Sequence, residues 1–384
     1  MHFTRGQIFS LTAVLLLAFG ASLGMAFNID AIAISFAVGN ADAGLVATLE
    51  MAAIATGNLI TARFAQRLPQ HRFYIACVLL IASMNALSVA APNLGWLIAT
   101  RLPAGLALGS LVASIMATAG RSDTPEQTFG LINACVGGMG IAVSWVLPRA
   151  LRIGEAAPAG WGLSAADGLY LTYTAAAVAA LVFVHRTPRP PPQSDAATMD
   201  GGGNRWSPLF GLGALFFGHA LLAVFLVRIG REAGLAPTTI GYVLMAGGAV
   251  GIIAPLTSGY LAARTRALPV VATLLGALLL LALGLAGGSA TSYILIAPLF
   301  ASLPVAAMPP ILGAAAKVDP SGRITASHPA FVMLGGAAAP LVGGWLSDQG
   351  GFIVNGYGAA TCIGIAAMLI SPTLRAADRL KASS

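Results

Sequence analysis

Long apolar runs, almost free of charge, recur along the chain at roughly 8–38, 42–66, 73–92, 94–120, 127–150, 167–185, 208–228, 237–263, 268–288, 292–316, 324–346 and 355–373. A helix needs roughly 20 apolar residues to cross a hydrocarbon core of about 30 Å. Each run reaches or approaches that length, and short stretches carrying Arg, Gly and Pro separate them. Inside lipid the backbone must satisfy its own hydrogen bonds, and a helix does so within one segment. The pattern therefore predicts an all-α polytopic membrane protein with twelve transmembrane helices. The stretch from Leu11 to Val38 holds a single ionisable residue, Asp30.

The longest polar stretch, Arg186 to Ser207, reads RTPRPPPQSDAATMDGGGNRWS. Its Pro run cannot continue a helix and its GGG is flexible. It separates six spans from six, so the predicted plan is an N-terminal six-helix bundle at 1–185, a cytoplasmic linker at 186–207 and a C-terminal six-helix bundle at 208–384. Fragments of the two halves also match. Ala62-Arg-Phe-Ala-Gln-Arg67 pairs with Gly259-Tyr-Leu-Ala-Ala-Arg264 at an offset of 197, and Gly137-Gly138 pairs with Gly335-Gly336 at an offset of 198. Two matches at nearly one offset make the bundles pseudo-repeats, the usual construction of secondary transporters.

Composition agrees. Of the 384 residues 57% are apolar and 9% charged, against about 25% charged in a soluble domain. Mean hydropathy is +0.85. The 46 Gly suit close helix packing in lipid, and the 22 Pro suit kinked spans. The net charge of +7 does not call for a nucleic acid, because the basic residues lie in short loops. With the termini inside, fifteen of the 20 Lys and Arg fall on the cytoplasmic side. Arg149, Arg152, Arg228 and Arg231 fall outside, and Arg101 lies within a span. That asymmetry predicts both termini in the cytoplasm of an inner-membrane protein. Cys77, Cys135 and Cys362 sit in apolar runs without metal or redox spacing and read as packing residues. HExxH, GxSxG and a phosphate loop after a strand do not occur. The soluble segments are too short for an ATPase. The chain reads as no enzyme, with no metal and no cofactor, driven by a gradient.

Ionisable residues inside a bilayer are costly and are functional hypotheses by default. Asp30 lies eight residues before Val38, Glu50 eight after Asp42, and Arg101 seven after the start of its span. At 1.5 Å per residue all three lie roughly 10–12 Å below the outer surface. An acid held at that level feels two opposed pulls. Desolvation favours its protonated form, and a neighbouring guanidinium favours the charged one. Asp30 and Glu50 are thus candidate proton carriers, Asp30 the leading one, with Arg101 as charge partner. The plain reading is an ion pair that only locks the N-terminal bundle. Asn28, Asn133, His219 and Tyr242 are candidate substrate contacts, each with a packing alternative. Asn58 and Asn85 read equally as interhelical glue or as ligand contacts, and Tyr173 as a packing or interfacial residue that could also line the cavity. Pro304, Pro309 and Pro310 crowd the tenth span and imply a kink, either gating or static.

The loop after the second span resembles a motif of the major facilitator superfamily, Gly-x-Leu-Ala-Asp-Arg-x-Gly-Arg-Arg. It stands here as Ala62-Arg-Phe-Ala-Gln-Arg-Leu-Pro-Gln-His71 followed by Arg72. Gln66 replaces the family's Asp and Pro69 its second Gly. Arg101-Leu-Pro-Ala-Gly105 is similar to the family's Arg-x-x-Gln-Gly in the fourth span. The chain looks most like the twelve-span bacterial drug or metabolite:proton antiporters. That group's Gly-x3-Gly-Pro-x2-Gly-Gly is missing from the fifth span, yet a near copy, Gly335-x3-Ala-Pro-x2-Gly-Gly344, lies in the eleventh. The resemblance implies the major facilitator fold, alternating access, and gating loops carrying Gln66, Arg67, Arg72 and Arg264. The expectation is a monomeric secondary transporter whose partners are a small organic solute, protons and the lipid bilayer, working as proton-coupled efflux. Two alternatives stay open. One is uptake of an anionic metabolite on Arg101, and the other is a membrane sensor or scaffold that does not transport.

Overall fold

The structure is a computed structural model, and it describes residues 4–62, 69–89, 91–119, 125–156, 163–188, 206–318 and 323–382. All regular structure among them is helical. The chain divides into two compact units. Unit 1 comprises Met1–Val38 and Val46–Met199, and unit 2 comprises Gly39–Leu45 and Asp200–Ser384.

Unit 1 holds α1 (Arg5–Leu23), α2 (Met25–Ser35), most of α3 (Asn40–Ala62), α4 (Gln70–Ser88), α5 (Leu94–Ala119), α6 (Pro125–Glu155) and α7 (Ala165–Val184). The single first span expected from the sequence is in fact two helices, broken at Gly24. A Cβ on Gly24 would collide with the Tyr173 hydroxyl and stand 2.6 Å from a Leu147 methyl. Only glycine admits α7 and α6 so close, and the hydrogen-bond ladder bends there.

Unit 2 holds α8 (Ser207–Ala223), α9 (Leu226–Glu232), α10 (Pro237–Arg264), α11 (Ala267–Ala286), α12 (Ala290–Val318), α13 (Arg323–Gly350) and α14 (Phe352–Ala382). Its first span is also broken, between α8 and α9, so both units open on a paired helix. Buried Asn355 of α14 donates to the carbonyls of Leu221 at 2.8 Å and Gly343 at 2.9 Å, tying α14 to α8 and α13. Asp348 accepts from the N–H groups of Asn40 and Ala41, residues that cluster with this unit.

The helices run past their apolar parts. The twelfth span, expected at 355–373, continues in α14 to Ala382, because its polar end is used. Asp378 accepts from the N–H groups of Ala267 and Leu268 at the start of α11, and Lys381 donates to the carbonyls of Ala263 and Thr265. One turn of α14 thus caps both ends of the α10–α11 junction. Four prolines, Pro298, Pro304, Pro309 and Pro310, lie inside α12 without ending it. A proline withdraws the N–H owed to the carbonyl four residues back. Pro310 so orphans Ala306, and Ser258 of α10 supplies the missing donor at 2.6 Å.

Among the described residues, ten helical segments are long and apolar enough to cross a membrane. With the α1–α2 pair and α6 they make the twelve spanning elements, six to each half. Exposed Ile253, Leu256 and Tyr260 follow one another on one side of α10. A stripe of that size facing outward is stable in lipid and a liability in water. The protein is an integral multi-pass membrane protein.

Candidate functional site

The polar centre of unit 1 is built by glycine. A Cβ on Gly105 of α5 would lie 2.6 Å from the Glu50 carbonyl oxygen and 2.9 Å from the Ala53 Cβ. A Cβ on Gly109 would collide with the Ile54 carbonyl, and one on Gly57 with that of Leu106. The backbones of α3 and α5 therefore touch, as small residues permit in membrane helices. Glu50 and Arg101 lie on the touching faces, with Glu50 Oε1 3.6 Å from Arg101 Nη1 and both side chains buried.

Arg101 is held chiefly by neutral groups. Its Nη1 donates to Asn85 Oδ1 at 2.8 Å. Its Nη2 donates to Ser88 Oγ at 2.8 Å and to the Met84 carbonyl at 3.1 Å. Met84, Asn85 and Ser88 share one side of α4, since positions one turn apart stack on a helix. Beneath the guanidinium lies the Tyr170 ring of α7, its centroid 4.7 Å from Cζ. Ser88 also hydrogen-bonds Thr100, the residue before Arg101, at 2.7 Å. Glu50 is less well served, because among the described residues no hydrogen-bond donor reaches its Oε1. The pair is asymmetric. Both Nη groups of the cation are held by dipoles that stay put, though its Nε has no hydrogen-bond partner among the described residues, while this carboxylate oxygen leans on a cation beyond hydrogen-bond distance. Such a carboxylate can exchange Arg101 for another positive partner without unmaking the arginine's own site.

Asp30 and Asn28 stand on α2, both buried. Asn28 Oδ1 accepts from the Tyr173 hydroxyl at 2.9 Å. Asn28, expected as a substrate contact, has its side-chain oxygen engaged by a partner on α7. The matched depths predicted one cluster of three charged groups. Glu50 and Arg101 do meet, and Asp30 lies in the interior of the same unit. Nothing in the sequence pattern picks out Tyr170, while there Asn85 is open as glue or ligand contact and Tyr173 as packing or cavity lining. The usable signal was Tyr170 and Tyr173 three residues apart on one side of an otherwise apolar helix.

The remaining predicted residues lie elsewhere. His219 of α8, in unit 2, packs its ring 4.9 Å from that of Phe300 and hydrogen-bonds the Phe300 backbone. The Phe300 carbonyl is the one that Pro304 of α12 orphans, as Pro310 orphans that of Ala306 beside Ser258, while His219 Nε2 has no hydrogen-bond partner among the described residues. Tyr242 is largely exposed on α10. Arg72 is exposed at the start of α4, and Arg264 is exposed over the ring of Tyr260 at 4.3 Å. Gln66 and Arg67 lie outside the described residues, as does the side chain of Asn133. The described cysteines are free. Among the described residues, no three His, Cys, Asp or Glu side chains gather as metal ligands would.

The sequence profile of the Major Facilitator Superfamily matches residues 9–325. No curated protein matches the chain. Solved structures do. A bacterial homologue of the human lysosomal transporter Spinster, inward-facing and occupied, is 14% identical with a TM-score of 0.71, over 97% of this chain and 96% of that one. The nucleoside transporter NupG is 15% identical with a TM-score of 0.68, over 96% and 98%. A D-xylose-proton symporter is 11% identical with a TM-score of 0.71, over 95% and 97%. At such identities the likeness is one of fold.

Proposed function

The chain belongs to the major facilitator superfamily, a family of transporters rather than enzymes, and from that premise we propose that it carries a small organic solute by alternating access, coupled to protons through Glu50. One observation carries the coupling. A buried carboxylate oxygen has, among the described residues, no hydrogen-bond donor, and it has a cation at 3.6 Å that is itself held by Asn85, Ser88 and the Met84 carbonyl. A proton can take the cation's place on Glu50 while Arg101 keeps its neutral partners, so protonation changes one contact instead of dismantling the site. Asp30 is a second buried acid in the same unit and can share the proton. Neighbours of this fold include a proton symporter, which supports proton coupling without fixing its direction. Export, the direction favoured here, rests on the likeness of the sequence to drug and metabolite:proton antiporters. Uptake of an anion on Arg101 would require breaking hydrogen bonds that both Nη groups already make.

The test is Glu50→Gln in proteoliposomes. Glutamine keeps the shape and cannot titrate. Solute movement driven by a pH gradient is expected to be lost, while exchange of solute against solute continues. Unchanged pH-driven transport in this variant rejects Glu50 as the carrier.

A further inference from the structure

A cavity of about 200 Å3 lies within unit 1, where α2 ends, α4 ends and α7 begins. Its wall is formed by Ser35, Phe36, Ser88, Ala91, Ser164, Ala166 and Asp167. Ser35, Phe36, Ala91 and Ser164 are partly exposed and form the mouth. Ser88, Ala166 and Asp167 are buried and form the floor. The polar wall is pinned in place. Asp167 accepts from the N–H of Ser164 at 2.6 Å and from its hydroxyl at 2.8 Å, and Ser35 Oγ accepts from the N–H of Ala166 at 3.0 Å. A cavity of this volume with three hydroxyls and a carboxylate has the room and the partners for several waters. Its floor matters most. Ser88 Oγ is the group that receives Arg101 Nη2, and Arg101 Nη1 faces Glu50. The cavity therefore ends one side chain from the buried ion pair.

We propose that this cavity is an aqueous port through which water and protons reach the Arg101–Glu50 pair from the face opposite the amino terminus, inside the N-terminal unit. Asp167 at the floor attracts cations and turns anions away. Hydronium entering the port gives its proton to the Glu50 carboxylate and leaves as water, while Arg101 releases Glu50 and keeps Ser88 and Asn85. The proton step rests on the coupling proposed above. The port does not.

Single cysteines at Ser88, Ala166 and Ala91 test it in the full chain, read above the background of the native cysteines. A small cationic methanethiosulfonate reagent is added to the outer face of oriented vesicles. Ser88→Cys is expected to be labelled, and adding Ala91→Trp in the mouth is expected to abolish the labelling. Ala166→Cys serves as the floor reporter if Ser88→Cys does not fold. An inert floor beside a reactive Ala91→Cys overturns the port, and so does floor labelling that ignores the plug or occurs only from the inner face. In transport, Ala91→Trp alone should slow pH-driven movement and spare solute exchange. A plug that stops labelling yet leaves pH-driven transport untouched overturns the proton route. If labelling behaves as expected and the wild type ignores a pH gradient, the port stands and proton coupling fails.

Discussion

Replacing Gly105 by alanine adds one methyl group where the helices have left no space. The new Cβ would sit 2.6 Å from the Glu50 carbonyl oxygen and 2.9 Å from the Ala53 Cβ. Neither neighbour can rotate away, since one is backbone and the other is the whole side chain of alanine. The two helices must part by most of an ångström to restore ordinary contact. Overpacking of this kind costs about 1–3 kcal/mol. Alanine regains up to about 1 kcal/mol of helix propensity over glycine, which offsets part of that cost. Gly138 of α6 is the control, because a Cβ there meets nothing within 4 Å. Gly138→Ala should therefore be neutral or mildly stabilising, and Gly105→Ala destabilising by about 1–2 kcal/mol net. Thermal unfolding in detergent reads the difference. Parting α3 from α5 also lengthens the 3.6 Å Glu50–Arg101 separation, so pH-driven transport should fall in Gly105→Ala and not in Gly138→Ala. Equal melting temperatures and equal transport in the two variants would refute the account of how the site is positioned.

Two further outcomes follow from the geometry. His219→Leu should cost about 1–3 kcal/mol by leaving the Phe300 carbonyl unpaired, and much less in a Pro304→Ala background, where the backbone N–H returns; equal costs in the two backgrounds, measured by a thermal double-mutant cycle, would remove His219 from that task. Arg101→Lys should destabilise unit 1 and lower transport although the charge is kept, because one ammonium cannot reproduce the planar fork that serves Asn85, Ser88 and the Met84 carbonyl; wild-type melting and transport in that variant would show that the fork is dispensable.

The apolar periodicity determined the spanning elements and the six-and-six plan, since the length of hydrocarbon to be crossed is a property of lipid and can be read from run length alone. Composition alone likewise decided that the solvent is a membrane. Cost in lipid singled out Asp30, Glu50 and Arg101 as buried polar groups, because a charge placed in such a run has to be buried in protein. Their partners were another matter. Nothing local marks Tyr170, two helices on in sequence, or Ser88, at the end of the preceding helix, as holding an arginine, and Asn85 looked like any asparagine in an apolar helix. Those assignments depend on rotation of α4 and α7 about their axes, which packing fixes and a one-dimensional pattern does not. The break at Gly24 was hidden for the same reason, as glycine is abundant here and only the approach of Tyr173 and Leu147 makes that one necessary. His219 shows the limit most plainly. In the sequence it is an isolated imidazole in a membrane and reads equally as a substrate contact or as packing. Only the tertiary structure sets it against the carbonyl that Pro304, far along the chain, leaves without a donor.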